Sequence, residues 1–457
     1  MEQTMHVTVA DMMAARESRA MAQAALLSRH PGAVVVCLTL NIAGPIKLTA
    51  DIERAFDWGR EAVAAVLAPH PCFFSHAIRE KTGPEAIFCV GGDKAQIKRR
   101  LCALEDGSPI GRLLDIDVLF GAGKKLSRTD IGLPARKCLL CDKEAPFCAR
   151  SRAHSADELF ERAIQIIRAH FDGELVRRIG EAAQRALLSE VAVSPKPGLV
   201  DRENSGAHTD MDLFTFINSA CALREYFEAC ASVGIAHRGQ SPAACFDALR
   251  VPGLLAEHAM ARATGGVNAH KGAIFSLGVL CASFALDPGS DAQTALLRCG
   301  EMTRSRMERE LSALSAREAQ TFGERHYQAT GSGGVRAEAA AGFPCVREAG
   351  LPRLKSALAR GMHLNDAALC ALVALMGRAG DTNAVRRGGE AAALALRERS
   401  AALDARIDCA LRSPGASLPD LCALLREWDR ELTRKNISPG GCADMLALTL
   451  FAEFMTA

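Results

Sequence analysis

Asp115 and Asp117 lie within Gly111-Arg-Leu-Leu-Asp-Ile-Asp-Val118, a short run in which acidic and apolar residues alternate. As a strand, the run turns both carboxylates to one face and Leu114, Ile116 and Val118 to the other. Carboxylates roughly 7 Å apart along a strand can share a Mg²⁺ ion, which prefers hard oxygen ligands and bridges to substrate phosphates. Arg112 beside them can take charge on a departing pyrophosphate. Metal, phosphate and in-line attack are the parts that nucleotidyl transfer needs. Two solvated aspartates on an edge strand have the same spacing, which by itself leaves both readings open.

A second set of polar residues is spread over the loops of the later chain. Ser194-Pro-Lys-Pro-Gly-Leu-Val-Asp-Arg202 stiffens a lysine, Lys196, between two prolines. His208, Asp210 and Asp212 follow. One of these acids is expected to begin a helix, where it complements the positive end, and a metal is the alternative. Gly265-Gly-Val-Asn-Ala-His-Lys-Gly272 leads into an apolar helix, a place where backbone amides bind anions and Lys271 adds a point charge. Asn268 and His270 can orient a ribose hydroxyl or move a proton. Gly331, Ser332, Gly333, Gly334 and Arg336 make a flexible phosphate nest that is not a Walker loop, because no Gly-Lys-Ser/Thr ends it. Asp381, Asn383 and Arg387 flank another helix, and Asp444 lies in the first turn after Ser438-Pro-Gly-Gly. Lys196, Lys271, Arg336 and Arg387 are the candidates to hold a triphosphate, with Asp210, Asp212 and Asp381 for Mg²⁺. Asp381, Asp212 and His270 are candidate acids or bases, with no assignment among them.

Cys138-x-x-Cys141, Cys148 and His154 form a Cys₃His set that suits a tetrahedral zinc. The Cys148-to-His154 spacing is unusual for such a site, and His154 also stands just ahead of a helix cap.

The elements that must position these groups differ in texture along the chain. At 457 residues two domains are expected. Val34–Leu40, Glu85–Val90 and Leu113–Phe120 read as strands and Gly121-Ala-Gly123 as a hairpin loop, among helices near 11–29, 49–68, 93–104 and from Ser155. After His170-Phe-Asp-Gly173 the alternation vanishes. Ala/Leu/Arg/Glu helices follow near 174–191, 211–232, 243–263, 270–285, 292–320, 364–379, 386–411, 418–434 and 441–456. The expected architecture is an α+β domain over 1–172 and an all-α domain over 173–457. A net charge of +2 and only two Trp and two Tyr argue against nucleic acid. No apolar run suits a membrane span and no signal segment is evident. Seventeen cysteines, most of them singly in apolar helices, suit a reducing cytoplasm.

Gly111 to Val118, with Leu38-Thr-Leu-Asn-Ile-Ala-Gly-Pro-Ile-Lys47 and the Arg136–His154 cysteine segment, resembles the apo-citrate lyase phosphoribosyl-dephospho-CoA transferases over about residues 15–170. The resemblance implies a nucleotidyltransferase-like centre at Arg112, Asp115 and Asp117. There a serine of the citrate lyase acyl-carrier subunit would attack a triphosphate and release pyrophosphate. From about residue 180 onward, Lys196-Pro-Gly-Leu-Val-Asp-Arg202, Gly266-Val-Asn-Ala-His-Lys271, Gly331-Ser-Gly-Gly-Val-Arg336, Asp381-Thr-Asn383 and Ser438–Asp444 closely resemble triphosphoribosyl-dephospho-CoA synthases. Ala269 and Ala337 depart from that pattern, where Thr and Gly are expected. The implied substrates are ATP and 3′-dephospho-CoA. Attack at C1′ of the ribose expels adenine through an oxocarbenium-like state. The malonate decarboxylase carrier, or water acting as acceptor in an N-glycosidase, are the alternatives.

Overall fold

Val34–Leu40 (β1) is the central strand of an antiparallel sheet in the computed structural model, which describes residues 6–314, 319, 325, 328, 334–413 and 420–456. Its neighbours are Gly83–Val90 (β3) on one side and Leu114–Phe120 (β4) on the other, with Cys72–Glu80 (β2) and the two-residue Lys124–Lys125 (β5) at the edges. β4 and β5 pair through the loop Gly121–Gly123, the expected hairpin. β2 is an exposed edge strand that alternation does not mark; its pairing with β3 makes it.

Register fixes the two faces. Cys37 stands opposite Asp117 and Thr39 opposite Asp115. On the far face Val34, Val36, Leu38, Phe88, Leu114, Ile116 and Val118 pack against Phe56, Val63, Ile97 and Leu101. These come from Ala50–Leu67 (α2), capped by Thr49, and Lys94–Asp106 (α3), capped by Asp93. Full burial of each such side chain contributes about 1.5–3 kcal/mol. Leu26 and Leu27, at the end of the helix Val9–Arg29 (α1), cover Val35, Cys37, Ile87 and Cys89 on the near face. A short helix, Ala145–Ser151 (α4), precedes Ala156–Ala192 (α5). Ser155 and Glu158 form the expected reciprocal cap of α5.

The chain divides into two compact units, one up to Gly173 and one from Glu174. The expected break at 170–173 is not a break in the backbone, because α5 runs through Gly173 without interruption. The second unit is helical throughout its described elements. Leu213–Ala222 (α6) and Arg224–Ala236 (α7) replace one expected helix, and Pro242–Ala248 (α8) and Arg250–Ala263 (α9) replace another. Lys271–Leu286 (α10) and Ala292–Leu314 (α11) follow. Gly334–Ala340 (α12) and Leu351–Ala359 (α13) lie where no element was predicted. Leu364–Arg378 (α14), Thr382–Arg412 (α15), Leu421–Arg434 (α16) and Gly440–Thr456 (α17) complete the unit; α15 is kinked at Gly389 (φ 80°, ψ 170°).

α10 and α14 are apolar around their whole circumference and buried almost throughout, and α17 packs against both. Their cores join one cluster that includes Ile274, Leu277, Leu372, Leu375, Leu446 and Leu450. No described helix is long and apolar enough to cross a membrane.

Candidate functional site

A cavity of about 700 Å³ opens inside the helical unit. Four helix starts line it: Asn268–Gly272 before and into α10, Gly334 and Val335 at α12, Asp381–Asn383 at α15, and Ser438 with Gly440 and Gly441 at α17. Helix N-termini carry unpaired amides and a positive field, so their convergence suits anionic groups. Behind the cavity wall the Lys196 loop packs closely on the chain before α17: Gly198, at φ +71°, lies so near Ile437 that a Cβ there would sit 2.2 Å from the Ile437 carbonyl oxygen.

Carboxylates occupy much of this positive field. Asp381 is 9% exposed. Its Oδ1 accepts from the amides of Asn383 (2.8 Å) and Ala384 (3.0 Å), and its Oδ2 from Cys442 (2.9 Å). It therefore caps α15 and ties it to α17. Burial raises its pKa, and the three amides oppose that. Asp444 is half-buried in the cavity wall, and its pKa is held well above the ordinary carboxylate range by burial, with Glu190 and Asp381 adding to the effect. A Cβ built on Gly272 would lie 2.0 Å from Asp444 Oδ2, so only glycine lets that carboxyl reach the start of α10. Glu190 is buried and paired with Lys196, which is itself 1% exposed. Burial raises the Glu190 pKa, and the Lys196 charge opposes it.

His270 is 3% exposed. Its Nδ1 is 2.7 Å from Ser219 Oγ, and the Phe216 ring stands edge-on at 5.0 Å. Its Nε2 is buried without a partner. Burial, helped by the Lys196 charge, lowers its pKa to about 3, so the ring is neutral at physiological pH. His208 holds Ser438 Oγ at 2.8 Å, and its pKa is lowered by burial and by the neighbouring Arg387.

Several expected phosphate ligands are committed elsewhere. Lys196 holds Glu190, and Lys271 holds Glu257 at 2.8 Å. Arg387 donates to Ala207 O (2.8 Å) and Asn436 Oδ1 (2.7 Å). Arg336 is exposed, does not line the cavity, and lies 3.9 Å from Glu310. Gly334 does line it, whereas Gly331, Ser332 and Gly333 fall outside the described residues. Asn268 and Asn383 both line it, and Asn268 Oδ1 also accepts the Lys271 amide at 3.2 Å.

The expected Mg²⁺ set Asp210, Asp212 and Asp381 does not form. Asp212 is the exposed cap of α6, accepting Thr215 N at 2.9 Å, and is absent from the cavity wall. Asp210 is exposed at the rim, and the oxygens of Asp381 face amides. Glu190, Ser219 and Arg386 went unmarked in the sequence, and Asp444 was marked there without a role in the chemistry. Glu190 sits in an ordinary Ala/Leu/Glu helix, and Asp444 reads as a helix-start acid.

In the sheet unit, Asp115 is exposed and Asp117 half-buried on the same face of β4. Lys125 pairs with Asp117 at 2.6 Å. The strand beneath them is held from its free edge. Buried Lys98 donates to Ile116 O (2.8 Å), and the Ile116 amide donates to buried Glu105 (3.2 Å). Burial raises the Glu105 pKa against the charges of Arg136 and Lys98. Arg112 is not free for phosphate in this arrangement, because it donates to Lys137 O (2.9 Å) and Cys138 O (2.8 Å). The ligand atoms of Cys138, Cys141, Cys148 and His154 all lie within 4.8 Å of one another, and no other such group occurs among the described residues.

Residues 176–457 match the family model described as ATP:dephospho-CoA triphosphoribosyl transferase, CitG. Residues 7–170 match the one described as apo-citrate lyase phosphoribosyl-dephospho-CoA transferase, CitX. Protein CitXG of Haemophilus influenzae is 34% identical over 456 residues, covering 97% of this chain and 96% of that one. Protein CitXG of Leuconostoc mesenteroides subsp. cremoris is 32% identical over 450 residues, covering 95% and 94%.

Proposed function

The chain belongs to the CitXG family, a CitX unit fused to a CitG unit and hence a bifunctional transferase, and from that premise we propose that it makes and attaches the prosthetic group of citrate lyase. The helical unit takes ATP and 3′-dephospho-CoA. The 2′-hydroxyl of dephospho-CoA bonds to C1′ of the ATP ribose, the bond from C1′ to adenine breaks, and the triphosphate stays on the sugar. The sheet unit then takes this product to the acyl-carrier subunit. A serine oxygen bonds to the phosphorus nearest the ribose, and the outer two phosphates leave as pyrophosphate.

The observation that carries the first step is Asp444, a cavity carboxyl with a raised pKa, pressed against the start of α10. In the proposed cycle it is protonated at rest and gives its proton to the departing adenine. The carboxylate so formed faces the positive ribose and then accepts the proton of the attacking hydroxyl, which restores the resting state. His270 presents its unpartnered Nε2 to the substrate as a neutral polar contact. Asp381 is a positioning residue that fixes two helix starts.

For the second step, Asp115 and Asp117 supply hard oxygen donors on one sheet face, a set that suits a Mg²⁺ held jointly with phosphates. When bound, the ion would neutralise charge on the departing pyrophosphate. The nucleotidyltransferase-like reading of this unit rests on that pair.

The test incubates the protein with ATP, dephospho-CoA, Mg²⁺ and apo carrier, then weighs the carrier and quantifies adenine. Asp444→Asn should cut adenine release by about 10³-fold while loading from supplied triphosphoribosyl-dephospho-CoA continues. Asp115→Ala should do the reverse. A variant that loses both activities while folded sinks the division into two sites. Adenine released without dephospho-CoA would make the helical unit a glycosidase, and loading of only a malonate decarboxylase carrier would move the partner.

A further inference from the structure

We infer that Cys138, Cys141, Cys148 and His154 bind a zinc ion, and that this ion holds the start of β4 in place. Cys141 Sγ and Cys148 Sγ are 3.5 Å apart, and His154 Nε2 is 3.4 Å from Cys141 Sγ. A disulfide would bring the sulfurs to about 2.05 Å. Bond lengths of ~2.3 Å to sulfur and ~2.05 Å to nitrogen give tetrahedral edges of ~3.8 Å and ~3.6 Å, close to the observed separations. All seventeen cysteines are free thiols, so none of the three is consumed elsewhere.

The surrounding chain has little else to hold it. From residue 132 to residue 154 the only buried residues are Cys138 and Cys148, two of the four ligands. Leu139 alone packs part of its surface on the neighbouring core. A segment of this length without apolar burial does not recover its ordering cost from hydrophobic contacts, and a metal supplies what is missing. The backbone is nonetheless arranged as a ligand loop. Cys138 N donates to Lys143 O (2.7 Å) and Ala145 N to Arg136 O (2.7 Å), which closes a turn around Cys141. α4 carries Cys148, and Arg152 in the left-handed region (φ 47°) turns the chain back so that His154 reaches the same point.

Four hydrogen bonds join this loop to β4 and to the turn that leads into it. Arg112 holds the carbonyls of Lys137 and Cys138, and Arg136 holds those of Arg112 (2.9 Å) and Leu114 (2.8 Å). Leu114 is the residue before Asp115. The link to carrier loading rests on the function proposed above for Asp115, whereas metal content does not.

The experiment uses the full, tag-free chain purified under reducing conditions. Elemental analysis should find one zinc per chain, and Cys141→Ser and Cys148→Ser should each lose it. Cobalt substitution should give the sulfur-to-metal charge-transfer band and intense d–d bands of a tetrahedral thiolate site. Zinc removal should lower carrier loading from supplied precursor at least ~10-fold while adenine release changes less than about twofold. Absence of zinc, or a Cys141–Cys148 disulfide in the reduced protein, overturns the site. Bound zinc whose removal leaves loading intact overturns the bracing role. If loading is absent even with zinc in place, the proposed function fails and the metal site stands.

Discussion

At the scale of single residues, the cavity of the helical unit is defined by which charges are already neutralised. Lys196 and Arg387 are cations in polar loops, and each is spent inside the protein, on Glu190 and on Ala207 with Asn436. An unpaired cation in such a wall would cost several kcal/mol, so pairing decides its role. His270 shows the same logic with a proton. Its pKa of about 3 against an ordinary 6.5 means that the unfolded chain takes up a proton below pH 6.5 while the native one refuses it until about pH 3. The sign is therefore fixed: stability is fully present above pH 6.5 and is lost as pH falls through that window, by about 1.4 kcal/mol per unit. His270→Asn should remove this slope. The check is urea unfolding at about pH 7 and about pH 5, read from Trp428 in a Trp58→Phe background. An unchanged difference between the two pH values would show that His270 is not buried as a neutral ring.

At the scale of elements, helix starts and one strand edge do the positioning. α10, α15 and α17 bring their N-termini to one wall, and Asp381 joins two of them. Gly272 is where propensity and packing disagree. Alanine is favoured over glycine in a helix by about 1 kcal/mol, yet its Cβ would strike Asp444 Oδ2 at 2.0 Å. Gly272→Ala should leave the melting temperature nearly unchanged and cut adenine release about 100-fold, because displacing a reacting group by an ångström costs that much. Circular dichroism and an adenine assay on the same sample measure both. A fully active variant would remove Asp444 from the proposed chemistry. In the sheet unit, alternation along Leu114–Val118 was enough to place Asp115 and Asp117 on one face, since period-2 side-chain direction is a local property. β2 was not legible, because an exposed edge strand has no apolar stripe and exists through its pairing with β3.

At the scale of the whole molecule, two chemistries share one chain whose texture changes near residue 173. In the proposed function the product of one unit is the substrate of the other, so Asp444→Asn and Asp115→Ala proteins, each unable to load the carrier from ATP and dephospho-CoA, should restore loading when mixed. The intermediate then passes through solution, and a rate below that of the unmodified fusion measures the advantage of tethering. Failure of the mixture, with each variant keeping its remaining activity, would mean the intermediate does not leave the chain that made it.

The sequence by itself determined the two textures, the acidic face of β4, the capping box at Ser155 and the polar loops that meet in the cavity. Each of these follows from residue type and short-range period. Only the tertiary structure decided which of those groups remain available for chemistry. Asp381 is bound by an amide sixty-one residues away, Arg387 by a carbonyl one hundred and eighty residues away, and Asp212 faces solvent. Asp444, which reads locally as no more than a helix-start acid, and Glu190, unmarked by local pattern, gained their raised pKa values from burial, with Glu190 adding to the shift of Asp444. Desolvation and long-range pairing set the charge of a group, and neither is written in the spacing of its neighbours along the chain.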